Sequence, residues 1–260
     1  MRRYFVLLFI LAVGCVTTPE TGRRAFIITS ESEESQMGTS AYQEVLKNEH
    51  VSNNLHWNAI LQRVGKHISQ AANKPDYQWE FQLIESPEAN AFCLPGGKVA
   101  VYTGILKVAK NEAGLAAIIG HEVAHATARH GGQRITVALG TQLGLAALSQ
   151  IIGGQDSDQK KLLMAALGIG ANVGAVLPFS RANESEADEI GLIYMARAGY
   201  DPIEAPRFWE RFARIGGTLP TEFLSTHPGS EQRKNSLISQ LPRAQKIYNQ
   251  SSKYGLGDSF

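Results

Sequence analysis

The stretch HEVAHATARH, residues 121–130, contains three of the seven histidines in this chain of 260 residues. Its first five residues fit the pattern HExxH. Histidines four residues apart share one face of a helix, so His121 and His125 can reach one metal ion. Glu122 lies one position further round the helix and is suited to act as a general base on water. The stretch therefore predicts half of a metal site.

The residues around this motif predict a buried helix. Asn111 is a suitable cap for a helix that begins at Glu112, continues through the motif and ends at Gly131-Gly132. The segment LAAIIGHEVAHA within it is apolar on nearly every side. Polar groups that are buried in such a helix need partners, and a metal ion would satisfy several of them at once.

A catalytic zinc site usually has three protein ligands, so a third is needed. His130 does not fit the longer pattern HExxHxxGxxH, because it falls one position short of the last histidine of that pattern. We interpret His130 as a helix-end residue whose positive charge would interact with the helix dipole. A better candidate lies in a second predicted helix, within SRANESEADEIG, where Glu184 and Asp188 share a face and Glu186 points away.

Glu184 would complete a site of two histidines and one glutamate. Asp188, one turn later, could accept the N–H of a ligand histidine and so fix its tautomer. The alternative is a solvated acidic helix face, which is what most charge clusters on helices are. Combined with HExxH, the pattern favours one bound Zn²⁺ per chain, although such a site also accepts other divalent ions.

Composition and the remaining patterns predict a mainly helical α+β fold. Hydrophobic residues make up 43% and charged residues 19% of the chain, which is ordinary for a globular domain. The net charge of +1 gives no support for a nucleic-acid partner. We expect a helix over about 44–72, a strand over 79–84, a hairpin turn at Pro95-Gly96-Gly97 and a helix that opens at Asp201-Pro202. The sequence does not indicate an oligomeric state.

The first fifteen residues, MRRYFVLLFILAVGC, fit a lipoprotein signal peptide. A basic start precedes an apolar run, Tyr4 to Val13, that is too short to span a bilayer. The end of the run resembles a bacterial lipobox, so we expect Cys15 to be lipidated. In Gram-negative lipoproteins an aspartate directly after the lipidated cysteine tends to retain the protein at the inner membrane. Here Val16 stands at that position, so we expect an outer-membrane lipoprotein that faces the periplasm of a Gram-negative bacterium. The alternative is a plain secretory signal and a secreted periplasmic protein.

Four regions follow from these patterns. They are a signal peptide at 1–15, a tether at 16–40, a main domain at 41–243 and a C-terminal tail at 244–260. Two stretches between residues 135 and 180 carry no charge. We interpret them as buried core helices, and the alternative is a helical hairpin that contacts the membrane.

Four motifs in order carry a family resemblance. They are NAFCLPGGKVAVYTGIL, HExxH, SRANESEAD and STHPGSEQR. Together they resemble the zinc metallopeptidases related to HtpX, the CAAX prenyl endopeptidases and mitochondrial Oma, and they are most similar to the LoiP/BepA-like bacterial lipoprotein branch. The resemblance covers roughly residues 20 to 240. It implies a zincin-type domain in which Glu184 is the third ligand of the zinc ion.

The resemblance also implies roles for residues that spacing alone does not single out. His227 would lie near the metal, where it stabilises the oxyanion or closes the open coordination position. Arg233 would order the ligand carboxylate or the loop that carries His227. An edge strand beside the HExxH helix would bind an extended peptide by main-chain pairing, and its substrate-binding residues would be Asn90, Ala91 and Phe92.

The predicted function is that of a zinc-dependent endopeptidase of the bacterial cell envelope, with Glu122 and His227 as catalytic residues. Its substrates would be unfolded or misassembled envelope proteins, as in protein quality control, and a lipid would hold it at the membrane. The alternative is a metal-stabilised periplasmic chaperone or assembly factor with a latent protease site, in which His227 is a fourth ligand. A third possible class is a membrane-embedded protease, and the uncharged stretches between residues 135 and 180 are the feature that supports it.

Overall fold

The computed structural model describes residues 14–149, 180–215, 223, 227 and 231–260. The uncharged region predicted as core helices falls largely at 150–179, which lies outside these ranges. Within the ranges, none of the helices is long and apolar enough to cross a bilayer.

Helices dominate the part of the chain that the structure describes. In chain order they are α1 (Glu31–Asn48), α2 (Leu55–Ala72), α3 (Thr103–Ala109), α4 (Glu112–Thr127), α5 (His130–Ser149), α6 (Arg181–Arg197), α7 (Glu204–Ile215) and α8 (Glu231–Gln250).

The strands form a small hairpin and a three-stranded mixed sheet. The hairpin pairs β1 (Cys15–Thr17) with β2 (Arg24–Phe26) in antiparallel register. The sheet contains β3 (Glu80–Ile84), β4 (Ala91–Leu94) and β5 (Lys98–Tyr102) in the order β3-β5-β4. Strand β5 is parallel to β3 and antiparallel to β4, so β4 lies at an edge. The predicted hairpin turn at 95–97 is confirmed, as is the mainly helical α+β fold class.

The two faces of this sheet pack against different helices, because side chains alternate along each strand. Val99 and Val101 of β5 belong to the main core, which also contains the apolar residues of α2 and α4. Ala100 and Tyr102 belong to a second core against α1. The sheet is therefore buried on both sides, and β4 contacts α1 and α4 alike.

Helix α4 lies at the centre of the domain, and all of its residues are buried. It packs closely on α6 where Gly120 faces Gly191. A Cβ atom on Gly120 would lie 2.9 Å from the carbonyl oxygen of Gly191, and one on Gly191 would lie 2.8 Å from the backbone of Gly120. The two glycines thus let the backbones approach, and this brings the HExxH motif next to the first turn of α6.

The helix boundaries differ from the prediction in three places, and in one of them α7 begins at Glu204 instead of at Asp201-Pro202. Helix α4 ends at Thr127, and α5 begins at His130, because Arg129 adopts a left-handed backbone conformation with φ of 55°. The predicted single helix at 44–72 is interrupted between α1 and α2. There the chain is extended, and the backbone N–H of Ser52 donates to the carbonyl of Leu83 at 2.8 Å, so hydrogen bonds to β3 replace helical ones.

The regions predicted as tether and tail carry regular structure. Residues 16–40 include most of the β1–β2 hairpin and the first half of α1. Residues 244–260 include the end of α8 and a segment that lies against the start of α4. In that segment the carbonyls of Leu256 and Asp258 accept the backbone N–H groups of Ala113 and Glu112 at 3.0 and 2.9 Å.

Candidate metal centre

Four buried side chains converge between α4 and α6. The ligand atoms of His121, His125, Glu184 and His227 all lie within 4.8 Å of one another. The first two side chains come from α4, the third from the first turn of α6, and the fourth from the segment before α8. None of these residues is more than 3% exposed, so the cluster is closed to bulk solvent in this conformation.

The distances within the cluster suit a metal ion. The Nε2 atoms of His121 and His125 lie 3.1 Å apart, and Nδ1 of His227 lies 3.3 Å from Nε2 of His121. Glu184 Oε1 lies 3.0 Å from His227 Nδ1 and 3.4 Å from His125 Nε2. Four ligands at tetrahedral positions about 2.0–2.1 Å from a zinc ion would lie about 3.3 Å from one another. The donor set therefore fits a four-coordinate ion.

The surroundings of His121 fix which of its nitrogens faces the cluster. Its Nδ1 lies 3.0 Å from Oδ1 of Asp188. The Asp188 carboxylate is held by Arg233, whose Nε and Nη2 donate to it at 2.7 and 2.8 Å. Burial raises the pKa of Asp188, but Arg233 and His121 outweigh this and lower it, so the group is ionised. Nδ1 of His121 therefore carries the hydrogen, and its Nε2 offers a lone pair.

His125 is oriented in the same way by two residues that we had placed outside the site. Its Nδ1 lies 2.9 Å from Nδ1 of His130, and Nε2 of His130 lies 2.9 Å from Oε2 of Glu186. A carboxylate only accepts, so His130 carries its hydrogen on Nε2 and accepts from Nδ1 of His125. His125 Nε2 then also offers a lone pair. In these tautomers two lone pairs face each other at 3.1 Å, and a cation between them, either a proton or a metal ion, would stabilise the arrangement.

The charge of the cluster also favours a cation. Burial raises the pKa of Glu184, but His227 and the adjacent imidazoles of His121 and His125 hold it well below its usual range. Burial opposes protonation of His121, yet Asp188 and Glu184 raise its pKa to about 9. Burial keeps the pKa of His125 well below its usual value. The carboxylates thus attract positive charge to the donor atoms, which a divalent metal would supply.

Glu122 and Arg233 adjoin the donor atoms. Oε1 of Glu122 lies 3.4 Å from Nε2 of His227, and within the described residues it makes no hydrogen bond. Burial raises the pKa of Glu122, as suits a general base. Nη1 of Arg233 lies 2.7 Å from Oε2 of Glu184, so this guanidinium joins the carboxylates of Glu184 and Asp188.

The predicted substrate strand lies beside the HExxH helix, but its residues face two ways. Ala91 and Cys93 face α4, and burial together with the charge of Glu122 raises the pKa of Cys93. The Phe92 side chain packs in the second core, with its ring 6.4 Å from that of Tyr102. The pleat of β4 thus directs Phe92 away from the donor cluster. Asn90 is buried, and its side chain accepts from the backbone N–H of Ala91 at 2.9 Å.

Two residues of the site escaped sequence reasoning. His130 was interpreted as a helix-end residue, but it is fully buried as the first residue of α5. Glu186 was placed on the side of α6 that faces away from Glu184 and Asp188 and was given no role, but its Oε2 contacts His130. The interpretation of His130 assumed one continuous helix to residue 131. The left-handed turn at Arg129 reverses the chain and places His130 beside His125, a change that helical spacing does not predict.

The comparisons with known proteins agree with this geometry. The model of peptidase family M48 matches residues 56–240. The chain belongs to peptidase family M48. Its domain is therefore of the zincin-like type, and the predicted enzyme class, metalloendopeptidase, is confirmed. Membership implies a bound metal, which the donor set of this chain fits.

Several relatives resemble most of the chain. Mitochondrial metalloendopeptidase OMA1 of Schizosaccharomyces pombe is 39% identical over 234 residues, 87% of this chain and 66% of that protein. Mitochondrial metalloendopeptidase OMA1 of Saccharomyces cerevisiae is 32% identical, over 100% of this chain and 80% of that protein. Beta-barrel assembly-enhancing protease of Escherichia coli is 29% identical, over 91% of this chain and 50% of that protein. The chain thus spans half to four fifths of these three proteins.

The predicted location is wrong. We expected an outer-membrane lipoprotein facing the periplasm, with a secreted periplasmic protein as the alternative. Relatives from yeasts, a plant and animals are named as mitochondrial enzymes, and the two yeast proteins are more similar to this chain than the bacterial one. A signal-like N-terminus is a short apolar pattern, and it did not distinguish between these locations.

Proposed function

We propose that this metallopeptidase is a zinc-dependent endopeptidase that cleaves unfolded or misassembled proteins. The observation that carries the proposal is the convergence of His121, His125 and Glu184 on one point, with the base Glu122 beside them. Two imidazoles and one carboxylate are the ligand set of many catalytic zinc sites. Bound zinc supplies a Lewis acid that polarises the peptide carbonyl and makes water more acidic.

Side chains around the zinc site have separate roles in the proposed reaction. Glu122 accepts a proton from the attacking water, because it is buried with a raised pKa and its Oε1 makes no hydrogen bond within the described residues. Asp188 and His130 hold the two ligand histidines in the tautomers that present Nε2. Arg233 holds the Glu184 carboxylate in place through its contact with Oε2.

His227 sits where a fourth ligand would, so the proposal includes its displacement before cleavage. Its Nδ1 lies 3.0 Å from Glu184 and 3.3 Å from His121, and four protein ligands leave no place for water. The same observation favours the second candidate, a metal-stabilised assembly factor with a latent protease site. Once moved aside, His227 would be close enough to Glu122 and the metal to donate an N–H to the oxyanion.

The substrate would pair with the outer edge of β4. The backbone N–H of Tyr102 donates to the carbonyl of Asn90 at 3.0 Å, and the register continues with Ala91 opposite Val101. In an antiparallel pair, residues that hydrogen-bond to the partner strand alternate with residues that do not. Because Asn90 bonds to β5, the main-chain N–H and C=O groups of Ala91 and Cys93 point away from β5. Main-chain hydrogen bonds depend little on the side chains of the bound peptide, so this mode of binding suits substrates that share only an unfolded backbone.

The substrate class and the lipid anchor are separate parts of the proposal. The name of the Escherichia coli relative links it to beta-barrel assembly, which supports misassembled proteins as substrates of this chain. Lipidation of Cys15 stays a prediction. Cys15 is exposed at the start of β1, and mass spectrometry of the protein isolated from its own cells would detect or exclude an acylated Cys15.

The activity is tested with Glu122→Gln, which keeps the volume of the side chain and removes the base. We expect the variant to bind zinc as the wild type does and to lose cleavage of an unfolded protein such as casein. Retained cleavage would contradict the role of Glu122. Zinc binding without cleavage by the wild type, even after His227→Ala, would instead favour the assembly factor.

A further inference from the structure

The N-terminal hairpin, residues 15–26, holds one carboxylate of α6 with three side chains. Oε1 of Glu186 accepts from the hydroxyls of Thr18 and Thr21 at 2.8 and 2.5 Å. Oε2 accepts from Nε and Nη2 of Arg23 at 2.8 and 2.5 Å. Glu186 is only 7% exposed, so its position depends on the hairpin being in place.

Glu186 transmits this constraint to a candidate metal ligand. Its Oε2 contacts Nε2 of His130 at 2.9 Å, and Nδ1 of His130 contacts Nδ1 of His125 at 2.9 Å. A neutral imidazole accepts at one nitrogen only when the other carries its hydrogen. The carboxylate therefore sets the tautomer of His130, and His130 sets the ring orientation of His125. The contacts form one unbroken path from the hairpin to the donor cluster.

We propose that the hairpin, Glu186 and His130 form a positioning unit that tunes the metal affinity of His125. The inference rests on the proposed zinc-dependent function. Groups that bind the second nitrogen of a ligand histidine typically change metal affinity by about 10–100-fold. Here that group is itself held by a separate structural element, so displacement of the hairpin weakens metal binding without any change in the ligands.

The chain offers a matched control on the same hairpin and the same helix. Glu20, in the turn of the hairpin, pairs with Arg197 at the end of α6, at 2.5 and 2.9 Å. This ion pair also joins the hairpin to α6, but it contacts neither Glu186 nor His130. Arg197→Gln therefore removes a hairpin contact and leaves the path to His125 intact.

The test measures the dissociation constant of Zn²⁺ by competition with a chromogenic chelator, and separately the unfolding temperature of the metal-free protein. We expect His130→Phe to weaken zinc binding by about 10–100-fold, and Thr18→Val with Thr21→Val to weaken it by about tenfold. Thr18→Ser with Thr21→Ser keeps both hydroxyls and should retain the affinity of the wild type. Arg197→Gln should also retain it.

Each outcome decides the question. Unchanged zinc affinity in the valine double variant, with a lower unfolding temperature of the metal-free protein, would show that the hairpin only stabilises the fold and would overturn the inference. If His130→Phe does not fold, the comparison between the valine and serine pairs decides alone. If the positioning inference fails but the wild type binds zinc and cleaves protein, the proposed function still holds. If the wild type does not bind zinc, both the inference and the proposed function are overturned.

Discussion

The Nε2 atoms of His121 and His125 lie 3.1 Å apart, and both face the carboxylate of Glu184. Each residue uses its Nδ1 elsewhere, towards Asp188 and towards His130. The two lone pairs therefore repel each other unless a cation lies between them, and Glu184 adds negative charge on the same side. A bound metal relieves this repulsion, so the folded protein should be more stable with a metal than without it.

Removal of the metal should lower the unfolding temperature. A ligand present at a thousand times its dissociation constant adds about 4 kcal/mol to the free energy of unfolding. We expect EDTA to remove a stabilisation of this order and Zn²⁺ to restore it, as measured by scanning calorimetry. A double variant, His121→Ala with His125→Ala, should show no zinc-dependent shift. Equal unfolding temperatures of the wild type in EDTA and in Zn²⁺ would contradict a metal at this cluster.

Replacement of His227 should increase basal proteolysis. In the structure this imidazole completes a set of four donors, so His227→Ala opens a position for water. We expect cleavage of casein to rise by about tenfold, the effect of removing one contact of about 1.4 kcal/mol, while zinc binds more weakly. The double variant with Glu122→Gln should be inactive. A loss of activity in His227→Ala would contradict this expectation and would show that the N–H that His227 donates to the oxyanion matters more than its occupation of the fourth position.

Arg233 should be far more important for stability than a neighbouring arginine. It joins the buried carboxylates of Glu184 and Asp188 and stacks on Trp209 at 4.3 Å. Arg233→Met removes the arginine partner of two buried carboxylates, and the loss of one member of a buried ion pair costs about 3–5 kcal/mol. The exposed pair between Arg243 and Glu189, 2.8 Å apart, joins the same two helices, so Arg243→Gln should cost at most about 1 kcal/mol. Similar losses in chemical denaturation would contradict this difference.

The stability of the start of α4 should depend on acid pH through Glu112. Burial raises the pKa of this carboxyl, but hydrogen bonds from Arg63, the backbone of Asp258 and Tyr200 outweigh it and lower the pKa below 4.5. Because the pKa is lower in the folded than in the unfolded state, the stabilisation is present above pH 4.5 and is lost as pH falls through the folded value.

The measurement compares wild type with Glu112→Gln by thermal unfolding between pH 7 and pH 3. At neutral pH we expect the variant to be less stable by about 2 kcal/mol, the typical contribution of hydrogen bonds to a charged group. The difference should shrink once the wild-type carboxyl is protonated. A difference that stays constant down to pH 3 would show that charge is not the cause.

The edge of β4 should contribute to substrate binding through its main chain. The N–H of Cys93 points away from β5, so Cys93→Pro removes an outward donor and keeps the pairing within the sheet. We expect the KM for an unfolded protein to rise while zinc affinity is unchanged. Cys93→Ala keeps the N–H and should behave as the wild type in both respects. An unaltered KM in the proline variant would place the substrate elsewhere.

Residues within one helix were the part of the site that could be predicted. HExxH places His121 and His125 on one face because the helix repeats every 3.6 residues, and the same repeat places Glu184 and Asp188 together. The hairpin turn at 95–97 was predictable for a similar reason, since proline and glycine restrict or permit backbone angles locally. Both features depend only on residues that are close together in the chain.

Relations between elements required the tertiary structure. The sequence by itself determined the helical pairs and, through its motifs, the family. Only the fold decided that Gly120 and Gly191 let α4 and α6 meet, that the turn at Arg129 returns His130 to His125, and that the N-terminal hairpin holds Glu186. These contacts join residues far apart in the chain, and they depend on packing and on a left-handed backbone angle that no helical period encodes.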